Sequence, residues 1–361
     1  MRIARLTASE LAKVSATELA GAVLLAPVRV PGGSLPKGTR IDHSSATTLA
    51  EAARAGALTQ PLRLAWPDPD DLHEDDAAAR LAEAVGGAGI ELRPPRQSRI
   101  DLAASWDGVL WVAAEALRRV NAIDPLEVFT AFHGQAVMRG QVVASVKVAP
   151  HLVARAALES GERIAREHGP LIEVRPYRPE QVAAIALETV AEDTLERFER
   201  GARMKLEALG ACFAGTTVVA DLDPAAASVR VGEALDDLVQ RRGIRVVLVG
   251  GVSAGDPLSP FWDALTARGG TVVRRGVPAH PGSMIWIAAL GEAQLLGLPT
   301  CGMFTLATAA DLVLPRLLTG ERLTAQGLAD LGHGGLLTRD MRFRFPAYAR
   351  DLAAPDGQGE L

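Results

Sequence analysis

The sequence lacks several features that would place it in a specialised class of protein. Only two of its 361 residues are cysteines, Cys212 and Cys301, and neither has a second Cys or His at metal-ligand spacing. A disulfide framework is therefore excluded, and a reducing cytoplasm is the expected location. Aromatic residues make up 4%, and the net charge of −5 comes from interspersed acidic and basic residues, so no basic block predicts a nucleic-acid-binding face.

Long hydrophobic runs are also missing, since no apolar stretch reaches the roughly 18 to 20 residues that a membrane helix needs. The first residues alternate apolar and charged side chains, which is not typical of a signal peptide. We therefore expect a soluble, cytoplasmic protein. What the chain does have is 48% hydrophobic residues, mostly Ala, Val and Leu. This composition favours helices packed on a parallel sheet, and the length favours two or three domains.

Apolar patterns and turn residues divide the chain into four segments. We expect an N-terminal region of mixed helices and strands (α+β) at 1–97 and a middle β-rich and helical region at 98–178. The main α/β domain is expected at 179–318, and a C-terminal tail at 319–361. In the third segment apolar strands such as VAAIAL (Val182–Leu187) alternate with helices. This alternation predicts a doubly wound parallel sheet with right-handed crossovers.

Local signals mark several elements of the last two segments. Asp223 before Pro224 is typical of a helix start with proline at its first position. IRVVLVGG (Ile244–Gly251) is typical of a buried strand, and the stretches TVVRRGV, SMIWIAAL and AQLLGLP predict further short strands. In the tail, GHGGLL (Gly332–Leu337) predicts a turn, and MRFRF predicts a strand or a frayed end. Neither tail feature indicates a function.

The sharpest functional signal is the glycine-rich first loop, VGGVSAGD (Val249–Asp256), which follows an apolar strand and leads towards a helix. Doubly wound folds bind ligands at this position. Glycines let backbone N–H groups approach an anion closely, and the hydroxyl of Ser253 can donate to a phosphate. Gly250 and Gly255 have Walker-loop spacing, but Asp256 stands where the lysine should be. The loop alone fits an anion site and an empty turn equally well.

Two further turn-rich segments favour the ligand-binding alternative. The second loop is PAHPGSM (Pro278–Met284) and the third loop is GLPTCGM (Gly297–Met303), and each follows a predicted strand. Because the carboxyl ends of parallel strands meet at one edge of a sheet, we expect the three loops to share that edge. A common pocket would follow.

The order GGVSxGD, then PxxPG, then GLP with small residues resembles the molybdopterin-binding domain shared by molybdopterin molybdenumtransferases, gephyrin and molybdopterin adenylyltransferases. The similarity covers about residues 179–318, and LPKGT (Leu35–Thr39) resembles the start of the molybdenumtransferases. The chain looks like a divergent member. The resemblance implies molybdenum cofactor biosynthesis, with molybdopterin or its nucleotide form as ligand and a divalent metal such as Mg²⁺ offsetting charge.

The resemblance leaves the activity and the partners open. One alternative is a transferase that inserts molybdenum or handles the cofactor nucleotide, with molybdate as a second substrate. The other is a non-catalytic carrier or scaffold for a cytidylyltransferase or a molybdenum hydroxylase. By analogy with the family we also expect a homo-oligomer, and neither nucleic acid nor a membrane is an expected partner.

Position by position, the resemblance assigns site roles to residues of the three loops and to two carboxylates. Asp256 and Glu188 are the catalytic candidates, and no side chain is predicted as a metal ligand. For Asp256 the alternative is an ordinary helix N-cap before a proline, and for Cys301 it is a small buried side chain. The cofactor-binding candidates are Gly250, Gly251, Ser253, Gly255, Pro281, Gly282, Gly297, Pro299 and Cys301.

One departure from the family concerns charge. The family carries a lysine after the PG of the second loop, and this chain has Ser283 there. A phosphate or molybdate would lose a cationic partner at that position. Lys37 or Arg178 could supply the missing cation from elsewhere in the chain. His280 could contact phosphate, or it could be an ordinary loop histidine.

Overall fold

The computed structural model describes residues 1–96, 98–187, 192–220, 223–298 and 307–350. The chain divides into two compact units. The first is formed by residues 1–105, 111–133 and 139–173, and the second by residues 106–110, 134–138 and 174–361. The four segments of the sequence analysis stay predictions of domain limits.

The secondary structure elements follow in chain order. The strands are β1 (Arg2–Leu6), β2 (Val23–Leu24), β3 (Val28–Val30), β4 (Gly33–Leu35), β5 (Leu62–Trp66), β6 (Asp71–His73), β7 (Ile90–Leu92), β8 (Arg99–Ala104), β9 (Gly108–Val112), β10 (Leu126–Thr130), β11 (Ala136–Val137), β12 (Val142–Val148), β13 (Leu152–Ala154), β14 (Ile172–Pro176), β15 (Gln181–Ala186), β16 (Cys212–Val218), β17 (Val246–Gly250), β18 (Thr271–Arg275), β19 (Trp286–Leu290) and β20 (Ala293–Leu298). The helices are α1 (Ala8–Leu11), α2 (Ala16–Leu19), α3 (His43–Arg54), α4 (Glu74–Val85), α5 (Ala114–Asn121), α6 (Arg155–His168), α7 (Glu192–Glu207), α8 (Pro224–Leu235), α9 (Pro260–Ala267), α10 (Ala310–Leu318), α11 (Ala325–Ala329) and α12 (Ala347–Arg350).

The first unit combines antiparallel sheets with helices. Its largest sheet has the order β10-β12-β8-β7, and smaller sheets are formed by β1-β5-β2, β3-β4 and β13-β6. Helices α4 and α6 pack against each other, and α4 also lies on β12. Ala77, Leu81 and Val85 recur every four residues on α4 and are fully buried, which gives the helix its apolar face.

The second unit is built on a six-stranded sheet with the order β16-β15-β17-β20-β19-β18. The first four strands are parallel, whereas β19 is antiparallel to β20 and β18 is antiparallel to β19. The prediction of a wholly parallel, doubly wound sheet is therefore wrong for the last two strands. The two residues Gly291 and Glu292 join β19 to β20, a connection that only antiparallel neighbours allow.

Helices cover both faces of this sheet. Helices α7 and α10 pack on one face, and α8 and α9 pack on the other. Along β15, Val182 and Ala184 face the first helix pair, while Ala183 and Ile185 face the second. The strand VAAIAL is apolar throughout because neither of its faces meets solvent.

Several local predictions are confirmed. Helix α8 begins at Pro224 behind Asp223, whose carboxylate accepts the N–H of Ala226 at 2.9 Å. The tail differs from its prediction, because the first four residues of MRFRF lie in a 3₁₀ helix (Arg339–Arg344) and the last, Phe345, is fully buried behind it. The described part of the tail therefore belongs to the core of the second unit. In the ranges given above, no helix combines the length and the apolar character needed to cross a membrane.

The parallel strands define the place of the candidate site. The carboxyl ends of β15, β17 and β20 lie at one edge of the six-stranded sheet, called the site edge here. Strand β18 runs in the direction of β20, because both are antiparallel to β19. The connection from β18 to β19 therefore also lies at the site edge, and it contains the second loop.

Candidate functional site

The first loop begins inside the sheet and ends on the surface. Val249 and Gly250 are the buried last residues of β17, and the carbonyl of Gly250 accepts the N–H of Leu187 at 3.0 Å. Gly251 has a φ of +78°, a left-handed backbone conformation that favours glycine. The chain thus turns away from β17 at the site edge.

Ser253 and Gly255 form an exposed turn on the first loop. The hydroxyl oxygen of Ser253 accepts the N–H of Gly255 at 3.2 Å, and a hydroxyl that accepts one hydrogen bond can still donate another. The space beside Gly255 is open. An added Cβ would meet Ser253 Oγ at 3.7 Å and Met284 Cε at 3.8 Å, which are ordinary contacts. A ligand can therefore approach this stretch of backbone.

Asp256 is exposed and stabilises the end of the first loop. Its Oδ1 accepts the N–H of Leu258 at 3.0 Å, and its carbonyl accepts the indole N–H of Trp262 at 2.8 Å. Helix α9 begins only at Pro260, with Ser259 as the N-cap residue. The N-cap alternative for Asp256 is therefore wrong. Among the residues that the structure describes, no group donates a hydrogen bond to its other carboxylate oxygen, and the side chain is exposed.

The second loop contacts both the first loop and the start of α10. The carbonyl of Pro281 accepts the N–H of Ala309 at 2.8 Å. Gly282 has a φ of +100°, and an added Cβ would lie 2.7 Å from the nitrogen of Ala309. On its other side the loop reaches Gly255 through the methyl group of Met284. The first two loops and the residues just before α10 thus form one continuous surface.

Gly297 has a packing role at the end of β20. It lies opposite Trp286 on β19, and an added Cβ would lie 1.9 Å from Cε2 of that indole. The buried indole N–H of Trp286 in turn donates to the carbonyl of Val252 at 2.9 Å. Gly297 therefore lets Trp286 hold the first loop, and its predicted contact with a cofactor stays a prediction.

Some predicted residues lie elsewhere. Glu188, Pro299 and Cys301 are outside the described residues. Arg178 precedes β15, and its N–H donates to the carbonyl of Leu318 at 2.8 Å, at the edge of the sheet opposite the loops. Its guanidinium lies against Gly320, just after the end of α10, so Arg178 does not supply the missing cation. Within the described ranges, no three His, Cys, Asp or Glu side chains are grouped so that they could hold a metal ion.

A buried polar cluster at the start of α10 was not found from the sequence. Asp311 Oδ1 lies 2.8 Å from Lys205 Nζ and accepts the hydroxyl of Tyr348 at 3.0 Å. Asp311 Oδ2 accepts the N–H of Thr308 at 2.9 Å. Burial, followed by the nearby carboxylate, raises the pKa of Tyr348. A cavity of about 30 Å³ beside Lys205 and Asp311 has room for about one water molecule.

This cluster fixes the residues before α10, which the second loop contacts. No local pattern could reveal it, because Lys205 and Asp311 are separated by 106 positions and Tyr348 and Asp311 by 37.

The tail segment Gly332–Leu337, interpreted above as a turn without function, also lies at the site edge. The N–H of His280 donates to the carbonyl of Gly335 at 2.8 Å, and the N–H of Leu337 donates to the carbonyl of His280 at 2.8 Å. The second loop is thus bonded on one side to a part of the chain that the sequence analysis left out of the site.

No family profile matches the sequence, and no curated protein matches it. A solved molybdopterin biosynthesis MoeA protein from Pyrococcus horikosii is 14% identical, with 73% of this chain and 81% of that chain covered and a TM-score of 0.27. The molybdopterin biosynthesis Mog protein from Mycobacterium ulcerans is 19% identical, with 43% and 95% covered and a TM-score of 0.26.

A solved molybdenum cofactor biosynthesis protein B is 14% identical, with 43% of this chain and 93% of that chain covered and a TM-score of 0.25. All three structures carry names from molybdopterin or molybdenum cofactor biosynthesis. TM-scores of this size establish neither a shared fold nor a shared function.

Proposed function

We propose that the second unit binds molybdopterin, or its nucleotide form, at the site edge and acts in molybdenum cofactor biosynthesis. The observation that carries this proposal is the contact between the first loop, the second loop and the start of α10. The glycine-rich motifs of the two loops occur in the same order as in the molybdopterin-binding domain. Two independent sequence signals thus meet on one surface, at the strand ends where α/β sheets bind ligands.

The phosphate of the ligand would lie on the exposed turn of the first loop. Gly255 leaves its backbone open to close approach, and Ser253 offers a hydroxyl donor beside it. Backbone N–H and hydroxyl donors suit an oxyanion, because a hydrogen bond to an ionised acceptor is stronger than a hydrogen bond between neutral groups.

Asp256 is the proposed polar group for chemistry on the bound ligand. Mg²⁺ is held by one or two carboxylates together with substrate phosphates and water. The free carboxylate oxygen of Asp256 fits one such position, and the metal would offset phosphate charge there. Transfer at the terminal phosphate or at the dithiolene, with Glu188 as the second carboxylate, is the catalytic form of this proposal.

A second candidate function is that of a non-catalytic carrier or scaffold for a cytidylyltransferase or a molybdenum hydroxylase. The exposed Met284 favours it, since this residue and Ser283 occupy the place where the related domain has its lysine. Without that cation the site has less means of stabilising a transferred oxyanion. Turnover of adenylylated molybdopterin with molybdate by the purified protein would exclude the carrier function. Assembly into homo-oligomers remains a proposal by analogy.

Gly255→Ala tests the binding site without disturbing the fold. The new methyl group has room, so the free energy of unfolding should change by less than about 0.5 kcal/mol. Molybdopterin should nevertheless bind at least about tenfold more weakly, because the methyl group removes a close backbone contact with the phosphate. Fluorescence titration with molybdopterin measures this.

The matched control is Gly33→Ala, since Gly33 also has open space around it and lies in the first unit. It should leave binding unchanged. Equal affinities of the Gly255→Ala variant and the unaltered protein would refute the placement of the phosphate on the first loop.

A further inference from the structure

The tail segment Gly332–Leu337 is built to lie against the second loop. Besides its two hydrogen bonds to His280, it packs closely on Pro278, whose carbonyl oxygen would lie 2.3 Å from a Cβ on Gly335. Gly334 has a φ of +76°. Glycine is thus required at two successive positions, one for close approach and one for its backbone conformation.

A buried cation supports this segment from behind. The guanidinium of Arg344 donates to the carbonyl of Gly334, and the residue is only 5% exposed. Burial lowers the pKa of this guanidinium, but an arginine remains charged at neutral pH. A positive charge therefore lies beneath the surface that the segment presents.

Two exposed histidines lie on this surface. His280 is on the second loop, and His333 is on the tail segment that is bonded to it. Neither imidazole has a hydrogen-bond or ion-pair partner among the residues that the structure describes, so both nitrogens of each ring are available for a ligand. Imidazole N–H groups are suitable donors to a phosphate.

Exposed apolar side chains lie on the same two segments as these histidines. Met284 is 50% exposed on the second loop, and Leu336 is 76% exposed on the tail segment. An apolar patch next to phosphate donors suits a ligand that carries both a flat ring system and an anionic group.

We infer that Gly332–Leu337 forms a further wall of the ligand site, and that His280 and His333 hold the anionic group in place of the absent lysine. The inference rests on the proposed function for the identity of the ligand, a ring system bearing a phosphate. It assigns the tail segment a binding role. It also identifies two imidazoles as the hydrogen-bond donors that take the place of the family's lysine, where this chain has Ser283.

The test measures the affinity of the full chain for molybdopterin in the variants His280→Ala, His333→Ala and the double variant. Alanine removes the imidazole N–H donors. Because both side chains are exposed, the variants should fold normally. The double variant should bind at least about tenfold more weakly, because hydrogen bonds to an ionised phosphate are lost. His168→Ala, at an exposed histidine of α6 in the first unit, is the matched control and should bind normally.

Equal affinity of the double variant and the unaltered protein would overturn the inference and leave the proposed function intact. If the unaltered protein binds no molybdopterin, the proposed function fails, and titration with inorganic phosphate decides the inference. Shifts of the imidazole NMR signals of His280 and His333, with those of His168 unmoved, would support an anion site. Their absence would overturn it.

Discussion

Gly297→Ala should destabilise the second unit through an overlap that the structure specifies. The new Cβ would lie 1.9 Å from Cε2 and 2.1 Å from Nε1 of Trp286, whereas carbon atoms in normal contact are about 3.5 to 4.0 Å apart. The indole cannot move aside into solvent, because it is fully buried and packs against Phe261 and Trp262. Either β19 and β20 separate or the indole shifts.

Both responses have an energetic cost that can be approximated. Overpacking a core typically destabilises it by about 1 to 3 kcal/mol. A shifted Trp286 also loses its hydrogen bond to the carbonyl of Val252, which adds about 1 kcal/mol. We therefore expect the free energy of unfolding to fall by about 2 to 4 kcal/mol, with the amides of β19 and β20 losing protection first.

Urea unfolding followed by circular dichroism gives the total loss, and hydrogen exchange assigns it to the second unit. Hydrogen exchange is needed because two units can unfold separately. Trp286→Leu supplies the decisive comparison, since a smaller side chain removes the overlap. The double variant should lose about 1 to 3 kcal/mol less than the sum of the single variants. Full additivity, or a stable Gly297→Ala protein, would refute the packing role, and Gly33→Ala controls for the Gly→Ala change itself.

Two other predictions concern buried polar groups. Asp311→Ala leaves Lys205 and the hydroxyl of Tyr348 without their shared acceptor, so thermal unfolding should show a loss of about 3 to 5 kcal/mol. An additional Lys205→Met change should restore part of this loss, and failure to do so would contradict the importance of the buried charge. The hydroxyl of Ser145 donates to Asp101 at 2.6 Å, and this hydrogen bond lowers the pKa of the Asp101 carboxyl. Ser145→Ala removes it, so the free energy of unfolding at pH 7 should fall by about 1 kcal/mol. A lowered folded-state pKa stabilises the protein above the unfolded value of about 3.9, and this effect is lost as the pH falls through the folded-state pKa, so the stabilities of the two proteins should converge in acid. A difference that persists in acid would contradict this account.

The sequence predicted the elements that depend on local rules. Asp223 and Pro224 mark the start of α8, because capping and the fixed φ of proline act within one turn of helix. Strand β15 was predicted as a strand buried on both faces because its residues are apolar at every position, a signal contained in the strand's own sequence. The site edge followed from these elements, and so did the meeting of the first two loops.

Strand direction and long-range contacts could not be predicted. An apolar run such as β19 indicates burial equally well in either direction, so its antiparallel pairing was missed. Asp256 resembles a helix cap in sequence, but the helix begins four residues later at Pro260. The pairing of Trp286 with Gly297 and the contact of His280 with the tail segment depend on register and packing, which single positions do not encode.

The second unit is formed by three separate stretches of the chain, which limits where the chain can be cut. Because this unit includes residues 106–110 and 134–138, a fragment that starts at residue 174 would keep only the last three residues of β14 and would lose β9, its neighbour, together with β11, which pairs with β9. The unpaired edge of β14 would then be free to pair with other chains, and such a fragment should aggregate. The second unit is therefore not a self-contained fragment, and grafting it onto another protein would require the preceding chain to come with it.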